Sequence, residues 1–204
     1  MYFCGNEIQY MKPIVYLKKL FDVTLHMVLQ PKKNWEKMQN EQDFQSGSFR
    51  RFFLPWLALY FVAVIIGNFL FESEYGFLFS DALIKASRKV LVSVLALWSS
   101  NILIYEISRK YKVPVSFEIS RKISTYALLP LLLVLMLTAL FPFADIIGLL
   151  GFYSLYMVYS ALQYLYQVNF YRNSAYLIIL LLFLFLGYAF IALILSKLTA
   201  LIIY

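Results

Sequence analysis

The chain has one cysteine, one histidine, seven glycines and only 14% charged residues among 204 positions. A single thiol, Cys4, cannot close an internal disulfide, and no CxxC pair offers a zinc-type ligand set. No apolar stretch precedes Cys4, so it reads as an ordinary residue, with an acylated anchor the lesser alternative. The lone histidine, His26, falls outside every long apolar stretch, which excludes a Ser-His or Cys-His nucleophile system within them. HExxH, GxSxG and a Walker-type glycine loop are all missing. Acidic residues near the apolar stretches (Asp81, Glu106, Asp145) stand only at their ends. No enzymatic activity, cofactor or metal is expected. Ordinary globular domains carry about 25% charged residues, so most of this chain is not built to face water.

What is present is hydrocarbon-like sequence: 62% hydrophobic residues and a mean hydropathy of +0.73. The bilayer's hydrocarbon core is roughly 30 Å thick and a helix rises about 1.5 Å per residue, so a crossing needs roughly 20 apolar residues. Five stretches approach that length, at about 52–71, 82–105, 123–141, 146–166 and 175–196. The last, from Ala175 to Ser196, has no charge at all. A soluble core helix has no need to be apolar on every face. The expected fold is all-α: a polytopic bundle of five transmembrane helices in one domain, 52–204, after a cytosolic or interfacial segment, 1–51.

Within that first segment, residues from about Ile14 to Leu29 read as an amphipathic helix between Pro13 and Pro31. Leu17, Leu20, Phe21, Leu25 and Val28 share one face, and Lys18, Asp22 and His26 share another. Such a helix either lies on the lipid interface or sits beneath the bundle. His26 reads as a solvated residue of its polar face. Residues from Gln30 to Arg51 read as a polar connection. Lys12, Lys18, Lys19, Asp22 and His26 interrupt the first thirty residues, so no cleavable leader is expected and the first crossing acts as the insertion signal. Trp56 falls where indoles favour the membrane interface.

The net charge of +7 does not point to nucleic acid, because the basic residues gather at helix ends. With the N-terminus inside, 14 Lys and Arg lie on the cytoplasmic side and 4 outside. The positive-inside rule therefore predicts a cytoplasmic N-terminus and an external C-terminus in a bacterial inner membrane. Lys85, Arg88 and Lys89 are the awkward members, since each costs about 2.5–3.5 kcal/mol at mid-bilayer. They push the apolar part of the second crossing to Val90 or beyond, unless they lie beside Glu72 and Glu74.

The strongest polar signal lies on the fourth stretch. Tyr153, Tyr156, Ser160, Gln163 and Gln167 are spaced three and four apart and share one helical face. Lipid cannot satisfy these groups, so the face turns toward the bundle. It either bonds neighbouring helices or lines a polar path or a lipid headgroup site. Ala144, Gly148 and Gly151 allow close approach nearby, Pro130 should bend the third crossing, and Ser99, Ser100 and Asn101 form a polar knot in the second.

Three elements carry a resemblance: SRKISTYALLP, with Tyr126 and Pro130 four apart; LFPFADIIGLLGFYSLYMVYSALQYL, a hairpin at Pro142 followed by Tyr153, Tyr156 and Tyr159; and Pro31-x-x-x-Trp35 ahead of the first crossing. In these the chain resembles the Yip-domain family of five-span, Ypt/Rab-interacting membrane proteins, especially its short bacterial members. Ala161 and Gln163 stand where glycine and proline are common, and the aspartate-leucine-tyrosine-glycine-proline element of eukaryotic members is missing, which weighs against Rab binding. The resemblance implies a non-enzymatic membrane scaffold or adaptor with lipid contacts and a protein partner or second copy. A transporter or lipid-handling protein using the polar stripe is the alternative.

Overall fold

The computed structural model describes residues 13–40, 53–72, 79–141, 148–166, 168 and 170–203. These form eight helices in chain order: α1 Pro13–Leu29, α2 Pro31–Asn40, α3 Leu54–Glu72, α4 Phe79–Lys110, α5 Phe117–Ala127, α6 Leu129–Leu140, α7 Tyr153–Tyr166 and α8 Phe170–Ile203. No strand occurs among the described residues. Four segments are long and apolar enough to cross a bilayer: Leu54–Phe71, Phe79–Lys110, Phe117–Leu140 and Asn173–Leu198. The protein is an all-helical, multi-pass membrane protein.

The third crossing is two helices rather than one. Ser116 caps α5 by accepting from the Ile119 amide at 3.3 Å. Leu128 ends that helix, and Pro130 sits in the first turn of α6, where its missing N–H costs no helical bond. The second crossing is longer than expected, since α4 runs 32 residues, or about 48 Å, and carries Lys85, Arg88 and Lys89 inside its first half. All three are half-buried and engaged with neighbours. The connection to α5 is correspondingly short. Both Glu106–Lys110 and Phe117–Lys122, which fall between the apolar stretches 82–105 and 123–141, are helical.

That connection turns on Lys112, whose φ of 57° lies in the left-handed region. The Val113 amide donates to Ser108 O at 2.9 Å and the Lys112 amide to Arg109 O at 3.2 Å, closing the end of α4. Glycine suits this backbone better than lysine. Lys112→Gly should therefore stabilise the fold by up to about 1 kcal/mol, read as a raised melting temperature in micelles.

The fourth apolar stretch, about 146–166, differs most from expectation, and its described helix is not among the four segments long enough to cross. Residues Gly148 to Phe152 form a 3₁₀ turn, and only Tyr153–Tyr166 is α-helical, 14 residues or about 21 Å. A Cβ on Gly151 would come within 2.8 Å of Leu131 Cδ1, so this turn lies beside the early part of α6, well short of its end at Leu140. Pro142, Ala144 and Asp145 lie outside the described residues.

The core runs from the N-terminal helices into the bundle. Fully buried side chains include Leu20 and Met27 of α1, Trp35 of α2, Trp56 of α3, Ile123 of α5 and Met157 and Leu162 of α7. Between α4 and α8, the hydroxyls of Ser108 and Tyr176 meet at 2.8 Å in the interior. Ser120 Oγ donates to Asn101 O at 2.6 Å and joins α5 to α4. Within the expected polar knot, Ser99 bonds its own helix at Ala96 O, and only the Asn101 backbone joins a neighbour. Much of α8 faces outward through large apolar side chains such as Ile178, Phe183, Phe190 and Leu193.

Candidate functional site

The polar face of α7 is covered by the N-terminal helices. Pro31 opens a second short helix just after α1 ends, so the segment expected to be a polar connection instead folds from Pro31 to Asn40. Asn34 stitches the two together: its Nδ2 donates to His26 O at 2.7 Å and to Gln30 O at 2.9 Å. The same two carbonyls also accept from the Gln30 and Asn34 amides, at 2.9 and 3.3 Å, so each carries a main-chain and a side-chain bond. Trp35 then enters the bundle, 0% exposed, with its ring edge-on to Tyr126 at 6.2 Å.

The first helix is fastened separately. Thr24 Oγ1 donates to Leu20 O at 2.8 Å and accepts from Trp56 Nε1 at 3.0 Å. Phe21 meets the same indole edge-on at 4.8 Å. Trp56 is thus buried between α1 and α3, its indole held by protein on all sides. The apolar face expected for α1 divides in two: Leu20 is buried, whereas Leu17, Phe21 and Leu25 remain exposed. The helix is held under the bundle on one side and presents a second apolar stripe on the other.

Against this cover stand the stripe residues. Tyr153 is half-buried, and its hydroxyl donates to Val28 O at 2.7 Å, joining α7 to the end of α1 across 125 positions. The Tyr156 ring lies 5.3 Å from that of Tyr153 and 6.4 Å from that of Tyr159, and Tyr156 remains 39% exposed. Ser160 is 1% exposed, and its Oγ has no hydrogen-bond partner among the described residues. Gln163 is half-buried, while Gln167 lies outside the described residues. The stripe is therefore a ladder of tyrosines partly closed by backbone and side-chain contact. Tyr153→Phe should loosen this closure by about 1 kcal/mol, seen as faster proteolysis near residues 28–31, beside the lost Val28 contact, with α7 itself intact.

Tyr126 and Pro130 are buried at the α5–α6 junction, and Pro31 is buried at the start of α2. The sequence reading missed α2, Asn34 and Thr24. A proline followed three residues later by asparagine and then by tryptophan was the available signal for them. Exposed basic side chains include Lys32 and Lys33 of α2 and, around the α4–α5 connection, Arg109, Lys110, Lys112 and Arg121. Arg109 pairs with Glu106 at 2.8 Å and lies over the Tyr105 ring at 5.9 Å.

No group of three or more His, Cys, Asp or Glu side chains able to hold a metal occurs among the described residues. No curated protein and no solved structure matches the chain. The Yip1 domain model matches residues 25–203, a match that takes in α2, the Trp35–Tyr126 contact, the tyrosine ladder and all of the crossings. The chain belongs to the Yip1 domain family.

Proposed function

We propose that the protein is a non-enzymatic membrane scaffold, with the N-terminus in the cytoplasm of a bacterial cell and the C-terminus outside. One observation carries this reading. The polar face of α7, the best candidate for a transport path, is occupied by the protein's own N-terminal helices through Tyr153 and Val28. A conduit would leave those groups facing an open space. Helix contacts that close the face at Tyr153 and Ser160 support a static role, in which α1 and α2 form a platform. Exposed Lys32 and Lys33 give the platform basic side chains. It suits anionic lipid headgroups, worth about 1 kcal/mol per basic residue near the surface, together with an acidic protein partner or a second copy.

Photo-crosslinking amino acids at positions 32, 110 and 121 in intact cells test this reading. The expected result is one recurrent set of protein neighbours, reached from the cytoplasmic side. The double variant Tyr156→Leu, Gln163→Leu should leave that set unchanged and alter only thermal stability. Loss of a solute or lipid flux in that variant, with the neighbours retained, would overturn the scaffold reading in favour of transport along the stripe.

A further inference from the structure

The connection between α4 and α5, from Tyr111 to Ser116, holds a feature independent of the scaffold reading. It joins two segments long and apolar enough to cross a bilayer. Irregular backbone does not face lipid within the hydrocarbon, and Arg109, Lys110 and Lys112 are all exposed here. The connection therefore lies on an aqueous side of the membrane. It curls around an open cavity of about 430 Å³, walled in part by Tyr105, Arg109, Lys112, Pro114 and Ser116. That volume falls within the range of small-molecule sites, roughly 300–1,000 Å³. No carboxylate is among its walls.

The two cations of the cavity are placed differently. Arg109 is held in position: Nη2 meets Glu106 Oε2 at 2.8 Å, and the guanidinium carbon lies 5.9 Å from the centre of the Tyr105 ring. Phe117 braces that ring edge-on at 5.6 Å. A guanidinium carries five N–H donors, so the rest of the fork stays available. Lys112 makes no ion pair with any described residue. Its φ of 57° is one that glycine adopts without strain and lysine does not. The position thus keeps an ammonium at a cost in stability, and no described contact uses it. Backbone strain of this kind gathers at functional sites.

Two cations in a cavity without a carboxylate call for an anion. The surroundings agree, since residues 106–122 carry five basic side chains against two acidic ones, Glu106 and Glu118. A phosphate monoester brings about 1.5 to 2 negative charges and three acceptor oxygens, enough to meet both cations at once. A carboxylate brings one charge and two oxygens. The volume leaves space for the group that carries the phosphate, against Pro114 and Tyr105.

We propose that this cavity binds the phosphate group of a monoester, held between Arg109 and Lys112. A lipid headgroup and a small dissolved phosphate ester offer the same chemistry, and both reach an aqueous face of the membrane.

The test uses the full chain in phosphatidylcholine nanodiscs with two probes. Glycerol 3-phosphate is titrated from solution, and a phosphatidic acid bearing a diazirine near its glycerol is placed in separate discs. At least one probe should saturate. Saturation by glycerol 3-phosphate assigns a dissolved ester, and saturation by phosphatidic acid alone, with crosslinks in residues 105–116, assigns a headgroup. Lys112→Gly and Lys112→Asn both suit the backbone, so they should keep or raise the melting temperature while weakening binding at least tenfold. Arg109→Gln should weaken it similarly. Lys110→Gln and Arg121→Gln, which remove the same charge outside the cavity, should change it less than twofold. Saturation by neither probe, or unchanged binding in both Lys112 variants, would overturn the proposal. So would equal losses in the Lys110 and Arg121 variants, which would mark a diffuse basic surface. Equal affinity for glycerate, the carboxylate counterpart, would overturn the assignment to phosphate.

Discussion

Gly67→Ala should separate two crossings that touch backbone to backbone. A Cβ at Gly67 would overlap the carbonyl oxygen of Ala139 and come within 2.9 Å of its carbonyl carbon. No flexible side chain stands in between to give way, so α3 and α6 must move apart as rods. Between membrane helices there is little hydrophobic drive to restore the contact, because lipid tails are as apolar as leucine, and close packing is what holds the pair. The expected cost is about 3 kcal/mol, the upper part of the range for overpacked cores. It should appear as a markedly lower melting temperature in micelles and a loss of monodisperse protein. Gly148→Ala is the control, since its Cβ enters open space and should be close to neutral.

Trp35→Ala should release the N-terminal cover. The side chain is fully buried against Tyr126, and deleting a buried tryptophan costs about 3–5 kcal/mol. The loss falls on α2, which is short and polar and has little helical stability of its own. The outcome is therefore local release before global unfolding, visible as protease cleavage near residues 30–40 while the α3–α8 fragment remains intact. Trp35→Phe separates packing from polarity. The indole Nε1 has no hydrogen-bond partner among the described residues, so phenylalanine surrenders no bond and should cost less than about 1.5 kcal/mol. If alanine and phenylalanine prove equally damaging, the ring contact with Tyr126 is not what holds α2.

Some of this architecture was plain in the order of residues, and some could not be. The stretch at 52–71 became α3, Leu54–Glu72, because uniform apolarity is a local property that tertiary structure need not supply. Pro130 marked the break between α5 and α6 for an equally local reason, its missing amide. For α4, the argument from Lys85, Arg88 and Lys89 limits hydrocarbon and not helix, and the helix starts at Phe79, ahead of all three. The helix α2 was hidden because its drive is the burial of Trp35 among residues about ninety positions away. On α7, the three-and-four spacing identified the polar face, but not its cover, since Tyr153 and Val28 meet across 125 positions.

The chain's three tryptophans are divided by the N-terminal cover. Trp35 and Trp56 are sealed beneath α1 and α2, whereas Trp98 looks outward from α4. Lifting those helices would bring two of the three indoles into contact with solvent and leave the other where it is. The molecule thus carries its own optical gauge of the event: an emission shift to longer wavelength, readable without any attached dye. Trp98→Phe would remove the constant background and leave a signal that belongs to the cover alone.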